Sequence, residues 1–279
     1  FALNAKLIAT RNIQWNVSAN ISADRNKVTQ LYGDNDAVYN IDADRNLQKE
    51  GNLFLGEPRN TIYIWKTGGI AQVVDMEHLK NIDFSGRQVN PGDLYPLDIN
   101  DDKVIDDKDR VIVGSPDPKF YGGFSTDFSY KGVTLNAVFN YSCGGKKLSP
   151  YYESLITSRG TGIASIDLLD RWTPENTDAK FPRPIYNDPT DTETMYYNTF
   201  SASQMDFSVQ NASFLRLSTL SLSYTFPKSV SEKMRIGNLR IYSTVSNVFC
   251  LTPYKGYDPE TGDWYPPTRM FVFGLNVSL

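Results

Sequence analysis

Twelve residues, Asp98 to Asp109 (DINDDKVIDDKD), hold the densest set of chemically useful groups in this sequence. Asp98, Asn100, Asp102, Asp106 and Asp109 fall on positions 1, 3, 5, 9 and 12 of a twelve-residue calcium loop, with the Val104 carbonyl at position 7. Hard cations take oxygen ligands, and this spacing wraps a chain so that alternate carboxylates converge. The chemistry it suits is Ca2+ binding. Two departures lower the expected affinity: Lys103 stands where glycine normally makes the sharp turn, and Asp109 replaces a longer, bidentate glutamate. A solvated acidic turn is the competing reading.

Little else in the chain could do catalysis. His78 is the only histidine and lies in a polar connection, which leaves no His-dependent base or nucleophile pair. Cys143 and Cys250 follow no metal or redox spacing and read as two unpaired packing residues. The sequence contains no G-x-S-x-G, no HExxH and no phosphate-binding glycine loop. A hydrolase with paired carboxylates rests only on abundant Asp and Glu, which loops supply anyway. We therefore read the chain as no enzyme and expect no organic cofactor. Tyr151, Tyr152 and Trp172, in the long excursion 144–212, are the candidates for substrate binding, because aromatic faces beside Asn and Asp groups can hold a sugar ring. Tyr186, Tyr196 and Tyr197 share that excursion. The same rings could equally pack the loop onto itself.

These loops need elements to carry them. In IQWNVSANISADR, Ile13, Trp15, Val17, Ala19, Ile21 and Ala23 face one way, and Gln14, Asn16, Ser18, Asn20, Ser22 and Asp24 the other. Soluble strands average only ~5 to 6 residues, so alternation of this length favours a membrane barrel. FYGGFSTDFSYKG and VTLNAVFNYSC repeat the pattern on either side of a short Lys131-Gly132 turn, as in an up-and-down meander. SFLRLSTLSLSYTF, LRIYSTVSNVF and the terminal RMFVFGLNVSL alternate too, the second least cleanly. With Thr61 to Gln72 and the opening residues the set comes to about eight strands. Leu222 falls on the lipid side and Ser223 on the lumen side. Between the strands, 31–60 reads as a loop with a short hairpin, and Tyr151 to Thr157 and Ser165 to Trp172 as helical pieces.

Composition fits this picture. Mean hydropathy is -0.40 and no run approaches the ~18 apolar residues of a membrane helix. A barrel strand is apolar only at every second position and escapes such a window. A net charge of -4 argues against a nucleic-acid partner, which would want a basic face. Phe1 already lies in strand-like sequence, so further sequence is expected ahead of it.

Five phrases in order complete the reading: GEPRNTIYIWKTGGIAQ (56–72), DRVIVGSPDPKFYGGF (109–124), DRWTPENTDAKFPRP (170–184), NASFLRLSTLSLSYTFP (211–227) and NLRIYSTVSNVFCLTPYKGYDPE (238–260). Together they resemble the C-terminal half of the SusC/RagA family of TonB-dependent outer-membrane transporters. Gly274, Val277 and Leu279 also resemble the C-terminal signal of outer-membrane barrels, which usually ends in an aromatic residue.

The resemblance implies an all-β chain: an antiparallel transmembrane β-barrel, with 1–279 as the C-terminal part of a larger plugged barrel of about 22 strands and 144–212 as a long loop insertion. It further implies energised import of oligosaccharides or other large nutrients across the outer membrane of a Gram-negative bacterium. The implied partners are a SusD-like lipoprotein, the TonB system acting through a missing N-terminal part, the remaining barrel and plug, and outer-membrane lipid. A secreted calcium-dependent carbohydrate-binding β-sandwich is the alternative, which leaves the long alternating strands unexplained.

Overall fold

A computed structural model of the chain describes residues 1–43, 46–157, 163–184, 200–262 and 265–278. Leu279, and with it the last position of the terminal signal, lies outside the described residues. Seven long strands form one antiparallel sheet: β1 (Ala2–Ala9), β2 (Ile13–Ser22), β3 (Phe120–Tyr130), β4 (Val133–Cys143), β5 (Phe214–Thr225), β6 (Asn238–Leu251) and β7 (Met270–Ser278). They lie side by side in chain order, each hydrogen-bonded to the next, as an open meander.

Register turns the alternation of single strands into two continuous surfaces. Trp15, Phe128, Leu135 and Leu222 stand opposite one another across β2 to β5, and the row continues through Ser243 to Phe273. The next row, on the other face, runs Asn16, Asp127, Asn136, Ser221 and Thr244. Its side chains bond across the strands: Asn136 donates to Asp127 at 2.6 Å, and Ser221 and Thr244 share a hydrogen bond of 2.8 Å. The apolar face has no such cover, with Phe271, Phe273 and Leu275 all more than half exposed.

Two irregularities keep the faces in phase. In β5 the apolar positions pass from Leu215 and Leu217 to Leu220 and Leu222, one residue out of step, and a bulge between Leu217 and Thr219 absorbs the extra residue. In β1 a shift between Lys6 and Ile8 does the same. On the polar face, Tyr242 lies over its register partner Gly274, where a Cβ would come within 2.1 Å of the ring.

The connections are strongly unequal. At one rim they are short: 10–12, Lys131-Gly132, and 226–237 with a helix at Lys228–Lys233. Lys131 and Gly132 have φ of 45° and 90°, the paired positive values of a tight hairpin turn. At the opposite rim lie 23–119, 144–213 and 252–269. Short turns on one side and long loops on the other are the usual form of an outer-membrane barrel.

The buried core belongs to these long connections. Ala71, Leu79, Phe84, Leu94, Ile105, Phe200, Ala202 and Met205 cluster there, joining the first connection to the end of the second. Thr61 to Gln72, expected as another long strand, is divided in this body. Ile62–Trp65 pairs with Arg110–Gly114, and Thr67–Ile70 with Leu94–Pro96. Ile62, Tyr63 and Ile64 are buried in succession, which needs cover on both sides and is incompatible with a wall strand wet on one face. The sheet therefore has seven strands among the described residues, one fewer than expected. The expected hairpin survives as Ala37–Val38 paired with Leu53–Phe54, and the two helical pieces as Pro150–Ile156 and a 3-10 turn at Ile166–Asp170. His78 sits exposed on a short helix, Met76–Leu79.

Candidate functional site

The aspartate loop is fastened at its middle. Asp83 donates its N–H to the Lys103 carbonyl and accepts from the Ile105 N–H, both at 2.8 Å, and the buried Ile105 side chain ties the loop into the core. Within the loop five acidic or amide side chains accept from backbone N–H groups. Asp98 accepts from Lys103 at 2.7 Å, Asn100 from Asp102 at 3.0 Å and Asp102 from Val104 at 2.9 Å. Asp106 accepts from Lys108 at 2.7 Å. The two oxygens of Asp109, which is fully buried, take the N–H groups of Ile99 and Asp106, each at 2.9 Å.

Lys103 has φ of 64°, the left-handed turn that the sixth position of a calcium loop requires. A lysine accepts there the strain that glycine would avoid. Asp98 Oδ1, at position 1, is buried and has no hydrogen-bond partner. The acidic side chains are otherwise loosely gathered: among the described residues no three His, Cys, Asp or Glu groups form a preassembled metal cage. Lys108 meanwhile places its ammonium 3.0 Å from Asp106. The Lys108 backbone N–H first, and its ammonium next, hold the Asp106 carboxyl below the usual carboxylate value.

The candidate aromatic residues have separate roles. Tyr151 is 37% exposed and stacks on Tyr257 at 4.1 Å, bridging the second and third long connections. Tyr152 is half-buried; its hydroxyl bonds Asp167, and Lys255 donates to Asp167 at 2.8 Å and to the Tyr152 hydroxyl at 3.1 Å. Burial, and then the Asp167 bond, raise the Tyr152 phenol. The Lys255 ammonium, followed by Tyr152, lowers Asp167. Trp172 is 8% exposed and packs on Gly92, its indole N–H donating to Gln72 at 3.0 Å. Beside it Arg183 clamps the buried Asp93 with two bonds, at 2.7 and 3.1 Å. Tyr186, Tyr196 and Tyr197 lie outside the described residues.

Two features escaped sequence reasoning. Arg216, inside β5, is 6% exposed and bonds Asp258 of the third connection at 2.5 Å. A lone arginine in an alternating strand was the available signal. The second is a cleft of about 830 Å³ in the body of the first connection, lined in part by Asn40, Gln48, Trp65, Arg87, Arg110 and Gln204. Its residues come from six separated stretches, so no local motif announces it.

No family model matches the chain. Curated relatives match it end to end: TonB-dependent receptor P3 of Formosa agariphila is 27% identical over 295 residues, covering 99% of this chain and 28% of the relative. TonB-dependent receptor SusC of Bacteroides thetaiotaomicron is 26% identical over 288 residues, covering 99% of this chain and 26% of the relative. The chain thus spans little more than a quarter of the length of these receptors. Among solved structures, the RagAB peptide importer in its open-open state aligns with a TM-score of 0.74 at 24% identity, covering all of this chain and 28% of that one. The RagAB peptide transporter aligns with a TM-score of 0.73. Similar along its whole length to these receptors and folded like part of the RagAB barrel, the chain is SusC/RagA-like and resembles a C-terminal portion of a TonB-dependent receptor, a class of outer-membrane proteins of Gram-negative bacteria.

Proposed function

We propose that this chain supplies part of the wall and part of the outer vestibule of a transporter that imports large nutrients, oligosaccharides or peptides, with a SusD-like surface lipoprotein as partner. One observation carries the reading: seven registered strands present a continuous unpartnered apolar face, beneath a rim where every long connection gathers. Hydrocarbon covers such a face, and the polar face opposite, with its cross-strand hydrogen bonds, lines a wet lumen. A β-sandwich would need a second sheet over Leu222 and Phe273, and no described residue provides one. The chain contributes no chemistry of its own, and transport energy comes from the TonB system. The relatives' names, TonB-dependent receptor and peptide importer, support the same reading.

Within it, Tyr151 is the most exposed of the three candidate aromatics and meets cargo, while Tyr152 and Trp172 act by holding the loops that surround the entrance. The aspartate loop is a calcium site that stiffens the first connection. Its support is the buried, unpaired Asp98 oxygen and the left-handed turn at Lys103.

Uptake tests the central proposal. Cells carrying the full-length receptor should accumulate labelled oligosaccharide or peptide, and lose that accumulation when TonB or the lipoprotein is deleted. Accumulation that persists without TonB would overturn energised import, and accumulation that persists without the lipoprotein would remove that partner.

A further inference from the structure

Trp65 forms the floor of the cleft in the first connection, and two guanidinium groups lie against its ring, Arg110 at 4.9 Å and Arg87 at 5.9 Å from the centroid. The ring holds two cations close together, which a cation–π contact favours and mutual repulsion opposes. Arg110 is neutralised in place: Asp107 lies 3.0 Å from its Nε, and the Leu47 carbonyl accepts from Nη1 at 2.8 Å.

Arg87 is different. It is half-buried over Trp65 and over Phe200, 4.6 Å from the latter ring, and donates one hydrogen bond, to Gln204 at 2.9 Å. Among the described residues it has no carboxylate partner, although the protein as a whole is acidic. A half-buried guanidinium without a counter-charge is costly, and its planar fork is shaped for two parallel bonds to a carboxylate.

We propose that this cleft binds a carboxylate-bearing unit of the imported cargo, with the carboxylate seated on the Arg87 fork. The inference rests on the import reading and deepens it by naming the chemical class of the cargo. A volume of about 830 Å³ is within the range of small-ligand sites and holds a unit of one to a few residues. Asn40, Asn46 and Gln48 line the same cleft, beside Glu50, and offer amide groups to the unit's polar atoms. An acidic peptide and a uronic-acid oligosaccharide carry the same group, so two probe pairs separate them.

Full-length receptor purified in detergent is titrated calorimetrically with triglutamate against triglutamine, and with trigalacturonate against its methyl ester. One acidic probe should bind, with its neutral analogue about tenfold or more weaker, since a hydrogen bond to a charged group is lost. Arg87→Gln should lower affinity for the acidic probe by the same factor and leave the neutral analogue unchanged. Arg87→Lys, which keeps the charge without the fork, should recover only part. Heat-modifiable migration of each variant shows that it is folded. In unaltered receptor the acidic probe should also shield Arg87 from phenylglyoxal, read by mass spectrometry. Failure of both acidic probes to bind, or equal binding by Arg87→Gln, overturns the site. TonB-dependent uptake would then still stand, and only its loss would remove the import reading itself.

Discussion

Arg216 reaches from a wall strand into the third long connection, and its partner Asp258 also accepts the N–H groups of Glu260 and Thr261 at 2.9 and 3.0 Å. Removing the cation leaves a buried carboxylate uncompensated, a change that typically costs about 3–5 kcal/mol. Arg216→Met should therefore open 252–269 to protease while the strands remain assembled, and unchanged cleavage would contradict the anchoring role. Burial alone would raise the Asp258 pKa; Arg216 and the two backbone donors outweigh it and hold the carboxyl below its ordinary value. A depressed folded pKa means that the stabilisation is whole at neutral pH and fades only as acidification passes below the usual carboxylate range. Protection of 252–269 followed through an acid titration should show that order, and loss of protection near neutrality would refute it. The aspartate loop gives a second test at this scale. With aspartate as the last ligand, a dissociation constant on the order of 10⁻⁴ to 10⁻³ M is expected. Calcium should slow proteolysis within Asp98–Asp109 in the full receptor, and Asp98→Asn should abolish the effect; identical cleavage in calcium and in chelator would sink the site. Spacing alone located this loop, because its groups are contiguous. Arg87 and Trp65 were not legible in that way, since their meeting depends on how distant segments fold together.

At the scale of elements, period-two alternation identified six of the seven wall strands, all but Ala2–Ala9, because a sheet between oil and water imposes it on every residue. It misread Thr61 to Gln72, where Ile62, Tyr63 and Ile64 are buried in a loop body that covers both sides of the strand. It was blurred in β5, where the slip at Ser218 marks a bulge rather than a weak strand. Lipid and lumen faces should respond differently to charge. Leu222, 52% exposed on the apolar face, should block assembly when replaced by arginine, at a cost of about 2–4 kcal/mol near the bilayer midplane. Ser223, its neighbour on the polar face, is no matching control, because it is 5% exposed and accepts a bond from Arg240 at 3.0 Å. Asn140, exposed on the polar face beside Ser218, takes that place. Asn140→Arg should assemble and show heat-modifiable migration, whereas Leu222→Arg should not; equal behaviour would mean that the apolar face does not meet lipid.

At the scale of the whole molecule, β1 and β7 are edges of an open sheet. Their outer backbone groups require neighbours in hydrocarbon, so closure depends on the remainder of the barrel. The unequal rims have a further consequence for biogenesis. Whichever machinery seats the wall must pass nearly all of the polar mass of the chain through the bilayer, while the light side, three brief reversals, stays behind. That cargo is suited to transit as loose chain, because Cys143 and Cys250 are both free and no covalent tie knots it beforehand. Its compact form would then be acquired outside the cell, after the wall has stopped moving.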